Sequence, residues 1–200
     1  MSRLVLLSGG VESATALREA VRHGSTAALF VDYAQRAAAC ERAASRAQAS
    51  AAGVELAEFD LSAVGETFRL GAERRYHVPL PHRNLVLAAL ALSYAARTGA
   101  RTIVLGINRE DTTAYASAST RFVEQFAAIA DNLGGVRIDT PLIELSKRDV
   151  VVRGSELGVD FGRTYSCLLG RALHCGRCPQ CLQRKAAFRD AGVADTVRHR

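Results

Sequence analysis

The chain of 200 residues is 48% hydrophobic, with five cysteines and a formal charge of +6, which suits one domain with a substantial core. No apolar run reaches the roughly 20 residues that span a bilayer, and the N-terminal apolar run turns to Gly9-Gly10 too early for a signal peptide, so a cytoplasmic protein without a membrane partner is expected. The basic excess is 24 arginines against Lys147 and Lys185 amid abundant alanine, a bias of composition rather than a binding surface, and a nucleic-acid partner is not expected.

Residues 3–7 form a short apolar run ending at Gly9-Gly10, and residues 11–22 carry apolar side chains at helical spacing. That order predicts strand, glycine turn, helix. The strand signal returns over 26–31, an alanine-rich helix is predicted over 35–52, and a third strand over 54–59. Few apolar positions fall within 61–81, which reads as an irregular excursion of the kind that sits near a ligand. Beyond it the pattern predicts a helix over 83–97, a strand over 102–106, a helix over 119–133, a strand over 136–139 and a helix over 147–157. After Gly158 regularity gives way to a cysteine-rich segment closed by a helix over 182–191. Alternating strands and helices imply an α/β fold with a Rossmann-like open parallel sheet. Ligands of such sheets bind at the carboxyl ends of the strands where strand order reverses, so residues 8–13, 32–36 and 106–111 should line one crevice.

Ser8-Gly9-Gly10-Val11-Glu12-Ser13 follows the first strand and opens the first helix. Backbone N–H groups at a helix start point at an anion, glycine lets the chain approach phosphate closely, and the Ser8 and Ser13 hydroxyls donate to phosphate oxygens. No lysine follows the glycines, so this is not a Walker loop, and the spacing does not fit Gly-x-Gly-x-x-Gly. Taken alone, the Gly-Gly pair equally reads as a tight turn. In context the segment resembles the pyrophosphate loop of the ATP pyrophosphatases, which split ATP into AMP and pyrophosphate while adenylating a substrate oxygen. Those proteins usually carry Asp at the position of Glu12.

Cys167, Cys175, Cys178 and Cys181 fall within fifteen residues. In a reducing compartment such spacing reads as metal ligation rather than disulfides, and a Cys-x-x-Cys turn places two sulfurs on one metal. Four thiolates close the coordination shell, which favours structural zinc over an iron–sulfur cluster or a sulfur-carrying thiol pair. The organisation is therefore a nucleotide-binding α/β domain over 1–160, with a zinc-binding segment and closing helix over 161–200 belonging to the same domain.

The glycine loop and the cysteine cluster, taken with Val31-Asp32-Tyr33-Ala34-Gln35-Arg36, Pro81-His82-Arg83-Asn84, Gly106 to Tyr115, Thr140-Pro141-Leu142, Lys147 and Ser166-Cys167, resemble the 7-cyano-7-deazaguanine synthases over nearly the whole chain. These are the nitrile-forming ATP pyrophosphatases of the queuosine pathway. The resemblance implies conversion of a small deazaguanine carboxylate to an amide and then a nitrile, with ammonia as nitrogen donor and an oxygen adenylated at each step. It implies ATP held by Ser8, Gly9, Gly10, Glu12, Ser13, Asp32, Tyr33, Gln35 and Arg36, with Mg²⁺ on the phosphates aided by Asp32 or Asp111. Lys147 and Arg83 become catalytic candidates, because a cation must offset transition-state charge, and Asp111 joins them through Mg²⁺. A homodimer is also implied. The chain departs from the family pattern at Ala34 and His82, where the family carries Gly. It departs again over residues 113–119, which read Thr-Ala-Tyr-Ala-Ser-Ala-Ser in place of Ser-Gly-Tyr-Pro-Asp-Cys-Arg. Only the aromatic Tyr115 is retained there, and it can stack on a planar ring.

Other residues invite function more weakly. Cys40, among alanines, reads as a small buried hydrophobe; His77 and His82 flank prolines near the crevice as acid–base candidates. His174 is expected to face solvent, and Arg198-His199-Arg200 to fray. Two other functions compete with nitrile synthesis: activation of a different carboxylate or of a tRNA base, and a degenerate nucleotide-binding zinc module acting as a partner subunit.

Overall fold

Five parallel strands, β1 (Arg3–Leu6), β2 (Thr26–Asp32), β3 (Glu55–Asp60), β4 (Thr102–Val104) and β5 (Arg137–Asp139), pair in the order β3-β2-β1-β4-β5. They belong to a computed structural model that describes residues 2–69 and 78–200, so His77 lies outside the described residues. The helices are α1 (Val11–Val21), α2 (Ala38–Ala52), α3 (Ser62–Thr67), α4 (Arg83–Thr98), α5 (Arg109–Ala114), α6 (Thr120–Asn132), α7 (Lys147–Glu156) and α8 (Pro179–Ala191). From β1 the chain steps outward through β2 and β3, then returns to the other side of β1 for β4 and β5. Strand order therefore reverses between β1 and β4, which puts the ligand crevice of this topology beyond their carboxyl ends.

Successive side chains of a strand point to opposite faces, and in this sheet both faces are covered. Val5, Ala28 and Val104 pack with Leu17, Val150 and Phe188 from α1, α7 and α8. Leu4, Leu29, Val31 and Ile103 pack on the other side with Ala91, Ala95 and Phe126 from α4 and α6. Burial on both faces is why the strands read as continuous apolar runs rather than alternating ones. Among the described residues no helix is long and apolar enough to cross a membrane.

Several elements depart from the sequence expectation for local reasons. The helix expected from residue 35 starts at Ala38, because the Gln35 side chain accepts from the Tyr33 N–H at 2.8 Å and donates to the Val31 carbonyl at 3.3 Å, which ties the backbone into a turn instead. The excursion contains α3, and the segment after β4 contains α5; both are six residues long, too short for a 3.6-residue period to register. The closing helix starts at Pro179 rather than 182, with Pro at its first position, where the missing N–H costs nothing.

The C-terminal tail is docked rather than frayed. Arg184 of α8 is fully buried and donates to the Asp195 carboxylate at 2.9 Å, to Thr164 Oγ1 at 2.8 Å and to the Phe161 carbonyl at 3.0 Å. His174 N–H donates to the Arg198 carbonyl, and Arg200 N–H to the His174 carbonyl, at 3.2 and 2.9 Å. His174 is buried as well, contrary to expectation, with Nε2 accepting from the Ser166 N–H at 3.0 Å. Burial, followed by the positive Arg184, brings its pKa down to about 4, so this ring acts as a neutral acceptor.

Ala34 and His82, where the resemblance implies Gly, have φ of 64° and 49°. Only glycine occupies that left-handed region without steric penalty. Ala34→Gly is therefore expected to raise stability by about 0.5–1 kcal/mol, read as a higher urea midpoint at unchanged m-value. A lower midpoint would contradict the strain account.

Candidate functional site

The glycine loop sits beyond the end of β1 at the strand-order reversal. Gly9 has φ +74°, and a Cβ there would lie 2.7 Å from both the Ala44 Cβ and the Glu41 carbonyl oxygen, so α2 presses directly on the loop. Gly10 is different: a Cβ would meet nothing closer than Ser8 Oγ at 3.5 Å and Glu12 Oε2 at 3.7 Å. A Cβ at Gly10 would thus sit in ordinary contact with a hydroxyl, a carboxylate and the Tyr165 carbonyl oxygen, also 3.7 Å away. Gly10 is also the N-cap of α1 and supplies no side-chain cap, leaving the first N–H groups of this helix for an anion. Ser13 ties the loop together, accepting from Ser8 Oγ at 3.1 Å and donating to the Gly10 carbonyl at 3.2 Å.

Lys147 begins α7 and reaches the loop from more than 130 residues away in sequence. Its Nζ lies 2.9 Å from Glu12 Oε1, with the two side chains only 15% and 18% exposed, and it also donates to Gln180 Oε1 at 3.4 Å. Burial pushes the Glu12 carboxyl up, but the Lys147 ammonium beside it brings it below the ordinary value of 4.5. Burial likewise works against the ammonium, and the Glu12 carboxylate overcomes it, holding the Lys147 pKa above its ordinary value. The pair is thus ionised at neutral pH. A depressed carboxyl contributes stability above its unfolded pKa and loses it on acidification through the folded one.

Asn108 buttresses this pair. It caps α5 in a capping box with Asp111, accepting from Asp111 N–H at 2.9 Å while Asp111 Oδ2 accepts from Asn108 N–H at 3.3 Å. Its amide donates to Glu12 Oε1 at 3.3 Å. Burial, reinforced by negative Glu12, pushes the Asp111 carboxyl up. Asp111, Tyr115, Lys147 and Gln180 line a cavity of about 380 Å³ between α5, α7 and α8.

Beyond β2 the expected residues divide. Asp32 accepts from Ala34 N–H at 2.9 Å and from Arg42 at 2.7 Å, so its carboxylate holds the loop. Gln35 is buried and donates to Glu41 Oε2 at 3.0 Å. Tyr33 is buried, with its phenol pushed up by burial and then by Glu41, against the opposing pull of nearby Arg83. Arg83, at the start of α4, stacks its guanidinium 5.2 Å from the centre of the Tyr115 ring. Arg36 is exposed, and its side chain joins none of the bonds described above. His82, left-handed and exposed, precedes Arg83 outside this network.

Three participants were not singled out among the sequence candidates, although Asn108 lies within the 106–111 segment expected at the crevice. Asn108 was legible, since Asn followed three residues later by Asp is a capping pattern. Gln180 was hidden inside the cysteine spacing, and Glu41 within an alanine-rich helix carries no local signal.

The four cysteines converge. Their sulfurs lie within 4.8 Å of one another, and those of Cys175 and Cys181 are 3.9 Å apart, close to the ~3.8 Å edge of a tetrahedron built on metal–sulfur bonds of about 2.3 Å. Cys175 N–H donates to Cys167 Sγ at 3.4 Å and Cys178 N–H to Cys175 Sγ at 3.3 Å. The Arg177 N–H, and then that of Cys178, hold the Cys175 thiol down to about 6 against burial. Burial pushes the Cys181 thiol up, so in the absence of a metal that thiol stays protonated. A donor set this compact and buried fits one tetrahedral metal ion. Cys40 stands outside it, half-buried, with its thiol 3.8 Å from the Arg171 carbonyl.

The cage joins the loop directly, because Tyr165 N–H donates to the Gly9 carbonyl at 2.8 Å. Glycine loop, buried lysine and cysteine cage on a parallel sheet define an ATP-pyrophosphatase-like fold. Solved structures share it: NMN synthetase from Francisella tularensis has a TM-score of 0.58 at 18% identity, over 96% of this chain and 77% of that one. The U34-tRNA thiolase NcsA from Methanococcus maripaludis, solved with its [4Fe-4S] cluster, has a TM-score of 0.55 at 11% identity, over 96% and 67%. At such identities the likeness concerns the fold alone.

Sequence comparison is more specific. The family model for queuosine biosynthesis protein QueC matches residues 2–192. The 7-cyano-7-deazaguanine synthase of Thiobacillus denitrificans is 40% identical, with 98% of this chain and 97% of the relative covered; that of Azoarcus sp. is 41% identical, with 98% and 96% covered. 7-Cyano-7-deazaguanine synthase 1 of Sulfurisphaera tokodaii is 32% identical over 100% of this chain and 98% of its own. The chain belongs to the QueC family.

Proposed function

We propose that the protein is an ATP-dependent ligase that converts 7-carboxy-7-deazaguanine and ammonia to 7-cyano-7-deazaguanine, releasing AMP and pyrophosphate at each of two steps. The observation that carries this reading is the Lys147–Glu12 pair, 2.9 Å long, beside a glycine loop that opens α1 with no side-chain cap on the first N–H groups of that helix. ATP supplies an electrophilic α-phosphorus for attack by a substrate oxygen. Around it the uncapped start of α1 binds the departing pyrophosphate, and the Ser8 and Ser13 hydroxyls, which bond within the loop at 3.1 and 3.2 Å, rotate to donate to it. Glu12 holds the Lys147 ammonium charged and in place, so that it offsets the negative charge that develops on the phosphates.

Mg²⁺ fits Asp111 better than Asp32. The Asp32 carboxylate is already engaged by Ala34 and Arg42, whereas Asp111 lines the Lys147 cavity with its carboxyl pushed up by burial and Glu12, a penalty that a divalent cation beside it would remove. The cage takes zinc, because four buried thiolates leave no position for water or substrate and so suit a structural ion. The planar substrate ring lies on Tyr115, whose other neighbour is the Arg83 guanidinium.

A second reading, activation of a different ring carboxylate, is favoured by residues 113–119, where the family's Asp and Arg are replaced. A site built to hydrogen-bond its substrate rejects analogues lacking the partner group; substituting the protein partners instead shifts that selection. Incubation with ATP, Mg²⁺, ammonium and 7-carboxy-7-deazaguanine distinguishes the two, with products resolved by mass. Nitrile together with AMP is the expected result. AMP formed only with another acid would establish the second reading, and ADP as the sole nucleotide product would sink both.

A further inference from the structure

Gln180 occupies the second position of α8, flanked by two cage cysteines: Cys178 is the N-cap, and Cys181 lies in the first turn. A metal ion held by those two sulfurs would therefore also fix where the first turn of α8 begins and where Gln180 stands. Its side-chain oxygen accepts from Lys147 Nζ at 3.4 Å, while the same ammonium meets Glu12 Oε1 at 2.9 Å. An ammonium has three N–H groups, and here two acceptors from opposite ends of the chain take two of them. One contact alone lets the ammonium turn about it on a flexible four-carbon stem; two contacts fix the direction of the third N–H.

We propose that Gln180 is a positioning residue for Lys147, through which the metal cage sets the direction of the remaining Lys147 N–H. The cage is then more than a clamp on the C-terminal segment. Cys178 and Cys181 hold the first turn of α8, Gln180 transmits that placement, and Lys147 presents its last donor to the loop. The kinetic arm of the test rests on the proposed role of Lys147 as the phosphate cation, whereas the spectroscopic arm does not.

Only two lysines are present, so protein labelled with ¹³C,¹⁵N-lysine gives two side-chain ammonium signals. Lys185 serves as an internal monitor, because its Nζ donates to the Gly176 carbonyl at 3.2 Å within the cage turn. In metal-loaded Gln180→Met, which keeps length and removes the acceptor, the Lys147 signal should move while the Lys185 signal stays. Turnover number should fall about tenfold at a KM for ATP within about twofold of wild type, the scale of one hydrogen bond to a charged group. Gln180→Glu, which restores an oxygen acceptor at the same reach, should bring the turnover number back to within about threefold. An unmoved Lys147 signal in Gln180→Met overturns the proposal even if no substrate is ever found. A moved signal in a protein whose wild type never turns over ATP supports the positioning role and counts against the proposed function.

Discussion

Lys147→Met is expected to lower kcat/KM for ATP-dependent turnover by about 10²- to 10³-fold, the range for losing one preorganised group that stabilises transition-state charge. The substitution also strands Glu12, whose carboxylate depends on the Lys147 ammonium at 2.9 Å to stay ionised despite burial. Breaking one side of a buried pair is costly because the remaining charge is uncompensated, although here both side chains retain slight exposure that softens the loss. Pairing Lys147→Met with Glu12→Gln separates the two consequences. In the double variant stability should return while turnover does not, as read by thermal melting and AMP release. Single-variant turnover close to wild type would remove Lys147 from the chemistry.

Chelating the metal, or replacing fully buried Cys181 by Ser, is expected to undo the C-terminal segment over residues 161–200. A four-thiolate ion binds with an apparent ~10–16 kcal/mol in small domains, and that binding is folding free energy. In this chain the cage adjoins Arg184 and its bonds to Asp195, Thr164 and Phe161, and it adjoins the loop through Tyr165 and Gly9. Loss of several kcal/mol in a chain of this size lowers Tm by about 10 °C or more, and ATP binding should weaken as the Gly9 carbonyl loses its partner. Elemental analysis should give one zinc per chain and no iron. Cys40→Ser, outside the cage, should leave both metal content and Tm unchanged. A metal-free protein melting at the wild-type temperature would contradict the structural role.

The strand order follows from what the sequence states plainly. Runs such as residues 3–7 and 26–31 are apolar on both faces and alternate with helical spacing, and only a covered parallel sheet satisfies both signals. The cage was equally legible, because a metal site is written in residue type and spacing. Less legible were contacts made by single polar side chains across long separations. The Lys147 to Glu12 pair joins α7 to α1, and the family resemblance rather than any local pattern marked Lys147. Gln180 reads as a spacer between cysteines until the fold brings it to an ammonium. The tail looked solvated because Arg198, His199 and Arg200 are polar; the signal that docks it is the fully buried Arg184, and burial of an arginine cannot be read from its own sequence neighbourhood. The left-handed backbone at Ala34 and His82 was marked only by the resemblance, which implies Gly at both positions.

The central claim is that the loop and Lys147 serve adenylation of a substrate oxygen, and isotope transfer tests it most directly. 7-Carboxy-7-deazaguanine labelled with ¹⁸O in both carboxylate oxygens, turned over with ATP and ammonium in unlabelled water, should deliver one ¹⁸O to AMP at the amide step and the other at the nitrile step, leaving pyrophosphate unlabelled. Unlabelled AMP alongside nitrile, or ¹⁸O appearing in pyrophosphate, would contradict the account.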